Sequence, residues 1–176
     1  MKPSVFVVGS YNEEDDEVLQ MAEFLATQED SNAVIGIVRV CLTDIEEDFF
    51  YTIENSNIDV GERMPFRKGW LDLPFLSAIC HSNGFTKLAL LRMDILGEKP
   101  LIRLCVSYEK DVQAEEVAEA EPIHEDFLGW GEIRGCCSRD DLPNEAQKYL
   151  EWIEAVICLP VCCISSGSGP GEVVLI

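Results

Sequence analysis

Two adjacent thiols, Cys136 and Cys137, follow Gly135 and stand between Arg134 and Arg139. Nearby guanidinium groups lower a thiol pKa and favour the thiolate, the attacking form in nucleophilic catalysis. His124 is close enough in sequence to be considered as the accompanying base. A second run with chemical potential is Gly167-Ser168-Gly169-Pro170-Gly171, whose backbone N–H groups resemble those that cradle phosphate. It is too small for that task and lacks the lysine and the Ser/Thr of a phosphate loop. A third is the pair Arg92 and Asp94, two residues apart at the end of an apolar run. By itself that spacing describes a turn or helix cap with its surface ion partner. The eight cysteines do not form a zinc framework. No Cys-x-x-Cys pair is set against a second one, and His81 and His124 are isolated. Cys41, Cys80, Cys105, Cys158, Cys162 and Cys163 sit in apolar patterns, where cysteine acts as a small hydrophobe. Reduced thiols point to a cytosolic or nuclear compartment, and a cytoplasmic location is expected.

A chain of 176 residues with 47% apolar residues is long enough for one sizeable core, so residues 1–176 read as a single domain. No apolar run reaches the about 18 residues that a membrane helix needs. The basic, then briefly apolar N-terminus does not read as a signal peptide. A net charge of −20 repels nucleic-acid phosphates and anionic membranes, so neither is an expected partner. Most of that charge is read as a solubilising surface. The run Glu13 to Glu17 is either a helix start, where acids favour the dipole, or an acidic docking patch.

The elements that must position these groups follow from the hydrophobic pattern. Val5 to Val8 reads as a buried strand, and Val18, Met21, Ala22 and Leu25 as one face of a helix. Ala33 to Leu42 is apolar except for Gly36 and Arg39, as in a strand covered on both sides. Asp44 to Pro65 lacks periodicity and reads as a loop. Asp72 caps a helix with Pro74 in its first turn, apolar at Leu73, Leu76, Ile79 and Cys80 and ended by Asn83-Gly84. Leu88 to Leu91 and Leu101 to Tyr108 read as strands, antiparallel neighbours because their connection is short. Residues 110–126 read as an exposed acidic connector. Asp141 is expected to cap a last helix with its stripe at Ala146, Tyr149, Leu150, Ile153, Val156 and Ile157. Val161 to Ile164 and Val173 to Ile176 are the final strands. The alternation predicts an α/β fold with a mainly parallel sheet and flanking helices.

Four segments, in order, resemble adenylosuccinate synthetase, the GTP-dependent enzyme that joins IMP and aspartate. Ala33 to Val40 resembles the family strand Val-Ile-Gly-Val-Val-Lys-Ala. Arg67 to Tyr108, with Gly69-Trp70-Leu71-Asp72, resembles the family run from Arg-Arg-Cys-Gly-Trp-Leu-Asp through Thr-Lys-Leu-Asp-Ile-Leu and the next strand. Phe127 to Ile153 and Val161 to Gly167 resemble two further stretches near the family's C-terminus. The resemblance implies the fold of that C-terminal part. It also implies a guanine pocket, in which Asp94 would accept the ring N–H and the exocyclic amine, Arg92 would lie on the base face, and Ser165, Ser166 and Gly167 would close the loop. GTP or GDP would be the ligand.

The same resemblance marks what is changed. The family's phosphate loop, catalytic aspartate and histidine, and magnesium ligands lie in a part to which no segment here corresponds. Phosphoryl transfer depends on such groups around the γ-phosphate. At the two functional arginines of the aspartate-binding loop this chain has Met64 and Phe66, leaving Arg63 and Arg67 as remnants. A dicarboxylate calls for cationic partners there. Asp44 reverses the charge of a further family arginine. The expectation is a truncated, non-catalytic relative working through a protein partner: a full-length adenylosuccinate synthetase or a second copy of itself, in or near purine metabolism. Alternatives are a guanine-nucleotide sensor and one subunit of a split GTP-dependent IMP–aspartate ligase.

Overall fold

Aliphatic runs that need cover on both faces build the centre of the molecule. The computed structural model describes residues 3–8, 16–29, 32–42, 51–53, 69–109, 121–167 and 172–176. In chain order the elements are β1 (Ser4–Val8), α1 (Asp16–Gln28), β2 (Val34–Arg39), β3 (Cys41–Leu42), β4 (Tyr51–Ile53) and β5 (Gly69–Leu71). They continue with α2 (Leu73–Asn83), β6 (Lys87–Leu91), α3 (Met93–Gly97), β7 (Leu101–Tyr108), β8 (Pro122–Leu128), α4 (Asn144–Ile157), β9 (Val161–Ser165) and β10 (Val173–Leu175). The main sheet has the order β1-β2-β6-β9-β10. The pairs β1–β2, β2–β6 and β6–β9 are parallel, and β10 runs antiparallel to β9. This is the expected α/β architecture with a mainly parallel sheet.

Period-two alternation sends each strand's side chains to opposite faces. Ile35 and Ile37 of β2 and Ala89 and Leu91 of β6 meet Val18, Met21 and Leu25 of α1. Val38 of β2 and Leu88 and Leu90 of β6 join a larger core with Leu76 of α2 and Leu150 and Ile153 of α4. Both cores are closed to water, which is the main favourable term for folding.

Helix α2 begins as expected: the Asp72 carboxylate accepts the Phe75 N–H at 3.0 Å. Its end is a left-handed Gly84 at φ 65°, with the Phe85 N–H donating to the Cys80 carbonyl. Four expectations are corrected. Tyr51–Ile53, placed in a loop, is a strand that pairs with β5. Pro122–Leu128, read as the end of the acidic connector 110–126, is a strand antiparallel to β7. Thus β7 does have an antiparallel neighbour, but it is β8, and α3 separates β7 from β6. Asp141 does not cap α4. Its carboxylate accepts the backbone N–H groups of Cys137 and Ser138, capping the 3-10 turn Arg139–Asp141, and Pro143 occupies the cap position of α4.

The turn that carries α3 is seated by close backbone approach. A Cβ on Gly129 would stand 1.9 Å from the Lys99 carbonyl oxygen, and one on Gly97 2.2 Å from that of Gly131. Only glycine fits at these two positions, and the Gly131 N–H closes the contact onto the Gly97 carbonyl at 3.0 Å.

Candidate functional site

Parallel strands end at the same edge of a sheet. In open α/β folds, ligands bind outside that carboxyl edge. Here it gathers Arg39 at the end of β2, Arg92 just after β6 and Ser165 at the end of β9. Arg92 is left-handed, with φ 68° and ψ 37°, an uncommon conformation for a bulky residue. The turn it makes starts α3 and places Asp94 in that helix's first turn. The Arg92 N–H donates to the Ser165 hydroxyl oxygen at 2.9 Å.

The guanidinium of Arg92 sits between two carboxylates. Its Nη1 donates to Glu17 Oε1 at 2.8 Å, and its Nε lies 3.4 Å from Asp94 Oδ1. The first contact is a charge-assisted hydrogen bond; the second is an ion pair without hydrogen-bond alignment. Arg39 Nη2 lies 4.0 Å from Glu17 Oε2. The result is a partly buried cluster of two cations and two anions. Three of its buried atoms have no hydrogen-bond partner: Glu17 Oε2, Arg92 Nε and Asp94 Oδ1. Buried polar atoms are seldom left that way.

The structure brings Arg92, Asp94 and Ser165 together. Ser166 and Gly167 are next to Ser165 but are engaged with the start of β10. The Ser166 N–H donates to the Glu172 carbonyl at 2.8 Å and its hydroxyl to the same oxygen at 3.2 Å. The Glu172 carboxylate lies where a Cβ on Gly167 would be, at 2.1 Å, and pairs with Arg134 at 3.5 Å. Arg63 and Arg67, together with Met64, Phe66 and Asp44, lie outside the described residues. Sequence reasoning missed Glu17, Arg39 and Glu172. Arg39 was visible as the one charge in an apolar run. Glu17 was hidden in an acidic stretch, since its partner is 75 residues away.

The cysteine-nucleophile idea does not hold at Cys136. Burial and the nearby Asp141 raise its thiol pKa. The two arginines meant to lower it are paired elsewhere: Arg134 with Glu172, and Arg139 with Glu154 through contacts of 3.2 and 2.8 Å. His124 lies opposite Cys105 in the β7–β8 ribbon. The seven cysteines whose side chains are described are free thiols. Among the described residues no group of three or more His, Cys, Asp or Glu is arranged to hold a metal ion. No described helix is long and apolar enough to cross a membrane.

Fold and site together define an open α/β domain with a charged cluster at the carboxyl edge of its sheet. A family model described as adenylosuccinate synthetase matches residues 31–174. The chain is 32% identical over 167 residues to an adenylosuccinate synthetase of Acetivibrio thermocellus, covering 82% of this chain and 39% of that protein. It is 40% identical over 121 residues to one of Polynucleobacter necessarius, covering 64% of this chain and 27% of that protein. The structure of a fully ligated adenylosuccinate synthetase from Plasmodium falciparum superposes with a TM-score of 0.69 at 28% identity, over 88% of this chain and 43% of that one. The chain therefore belongs to the adenylosuccinate synthetase family. It spans about two-fifths of the length of the curated relatives it matches over most of its own, 39% in the first case.

Proposed function

We propose that this chain is a non-catalytic member of its family that acts by associating with another polypeptide, in a reducing, cytoplasmic setting. The observation that carries the reading is the open edge of the main sheet. Strand β1 pairs with β2 on one side and has no strand on the other among the described residues. Four of its five residues are apolar, and Phe6 is 47% exposed. An uncovered apolar edge presents unpaired N–H and C=O groups as a template for another strand. The partner is a full-length adenylosuccinate synthetase or a second copy of this chain.

Light scattering after size exclusion, with and without a full-length synthetase, tests the reading and separates the two partners. A complex or a dimer is the expected result; a monomer that ignores the synthetase at tens of micromolar overturns it. Alone, the chain is expected to form no adenylosuccinate from IMP, aspartate and GTP. Product that appears only on adding a second chain would favour the split-ligase alternative.

A second reading is favoured by the Arg92–Asp94–Ser165 convergence: the carboxyl edge binds the base of GTP or GDP. The Asp94 carboxylate has the acceptors for guanine's paired N–H groups, and its Oδ1 has no hydrogen-bond partner. A base held without its phosphates is expected to bind weakly, on the order of 1 mM. Titration calorimetry with guanosine and adenosine checks this. An equal response to both would overturn guanine selectivity.

A further inference from the structure

We infer that Cys162, Cys163 and Met21 form a binding site for a soft monovalent metal ion, copper(I) in kind, beneath helix α1. The inference is independent of the association and guanine readings. Neighbouring residues of a regular strand point to opposite faces, so two successive cysteines ordinarily do not meet. Here the ladder between β6 and β9 slips: Leu88 faces Val161, but the next residue, Ala89, faces Cys163. Cys162 is the extra residue of a β-bulge, a device that re-aims a side chain. Both cysteines belong to the core under α1, and their thiols hydrogen-bond each other. Met21 of α1 completes the group: Cys163 Sγ donates to its Sδ at 3.2 Å. Three sulfurs from two elements far apart in sequence are thus joined in one buried run.

The donor set selects its ligand. Thiolate and thioether sulfur favour copper(I), whereas hard cations ask for carboxylate, carbonyl or water oxygen. Structural zinc takes four ligands, and among the described residues no group of three His, Cys, Asp or Glu is arranged to supply them. A monovalent ion that displaces one thiol proton to water leaves the charge of the buried site unchanged, which avoids the cost of an uncompensated buried charge. Cys162 donates to the Leu88 carbonyl at 3.2 Å and gives up that bond if its thiol is the one that ionises. Cys163 and Met21 are fully buried and Cys162 is 7% exposed, so the ion enters past Cys162. With metal–sulfur bonds of about 2.3 Å, three ligands in a plane stand about 4 Å apart. The gap between Cys163 and Met21 then has to widen by about 0.8 Å, which the three rotatable bonds of methionine allow.

The test is an anaerobic titration of copper(I) into the reduced full chain against a chromophoric copper(I) chelator, with zinc(II) in a parallel arm. The wild type is expected to hold one equivalent against the chelator, and zinc is expected not to displace it. Cys162→Ser and Cys163→Ser should lose that equivalent, while Cys137→Ser, at an exposed thiol outside the site, should keep it. Met21→Leu, which conserves volume and keeps the core filled, should weaken it by at least about tenfold. Should the serine variants fail to fold, X-ray absorption of the copper-loaded wild type and Met21→Leu proteins decides: three sulfur neighbours are expected in the first and two in the second. No tight equivalent, one that survives Cys163→Ser, one that Cys137→Ser also removes, or a copper shell that Met21→Leu leaves unchanged would overturn the site.

Discussion

The β1–α1 unit, before the span matched by the family model, and the remainder of the chain contribute different things. The matched remainder holds the larger core and a buried carboxylate whose partners are in place. Asp72 is 1% exposed, accepts the Phe75 N–H and receives the Tyr108 hydroxyl, so a buried carboxylate there is a folding device. The β1–α1 unit supplies a strand edge that no described strand covers and the Glu17 carboxylate over Arg92. A buried carboxylate with its partners stabilises a fold, whereas an uncovered strand edge offers its backbone groups to another strand.

The largest effect should come from the contact between the two regions. Leu25 is fully buried between α1 and the sheet, so Leu25→Ala is expected to cost about 3 kcal/mol in urea unfolding. A loss near zero would mean that α1 is a loose appendage and that Glu17 is not held in place. Asp72→Ala removes a helix cap and orphans the Tyr108 hydroxyl, and should cost about 2 kcal/mol by the same measurement.

Alkali should also strike the matched region. Burial pushes the Cys80 and Cys105 thiols up, from 9.0 to about 11 and about 12. The folded state then holds protons that the unfolded state has released. The stability tied to the neutral thiols is fully present below pH 9 and is lost as pH rises through those raised values. Urea midpoints across that window should fall, and Cys105→Ser should flatten the decline.

The smallest stability effects belong to the unfinished features. Phe6→Lys puts a charge on a half-exposed edge residue and removes its stacking on Phe85 at 5.8 Å; it should cost about 1 kcal/mol yet abolish association. Asp94→Asn should change stability by no more than about 0.5 kcal/mol, because its ion pair is partly exposed and poorly aligned. A loss as large as that of Asp72→Ala would place Asp94 among the structural carboxylates instead.

Local signals carried much of the fold. The cap at Asp72, the stripe of α4 and the apolar strands are nearest-neighbour patterns, and the structure repeats them. The misses depended on distant partners. The strand in 122–128 carries His124, Glu125 and Asp126, and only pairing with β7 makes it a strand. Asp141 looked like the cap of α4 because it precedes Pro143, but its nearest free N–H groups were behind it, at Cys137 and Ser138. At the site, Arg92, Asp94 and Ser165 were visible through family resemblance. Glu17 was not, because nothing in an acidic run marks which member faces a cation across the sheet.

The claim that this chain works by association through the β1 edge is met most directly by the molar mass of the wild-type and Phe6→Lys proteins, each measured by light scattering alone and with a full-length adenylosuccinate synthetase. A dimer or a mixed complex is expected for the wild type and a monomer for Phe6→Lys. A wild-type monomer under both conditions, or a complex that Phe6→Lys leaves intact, would contradict it.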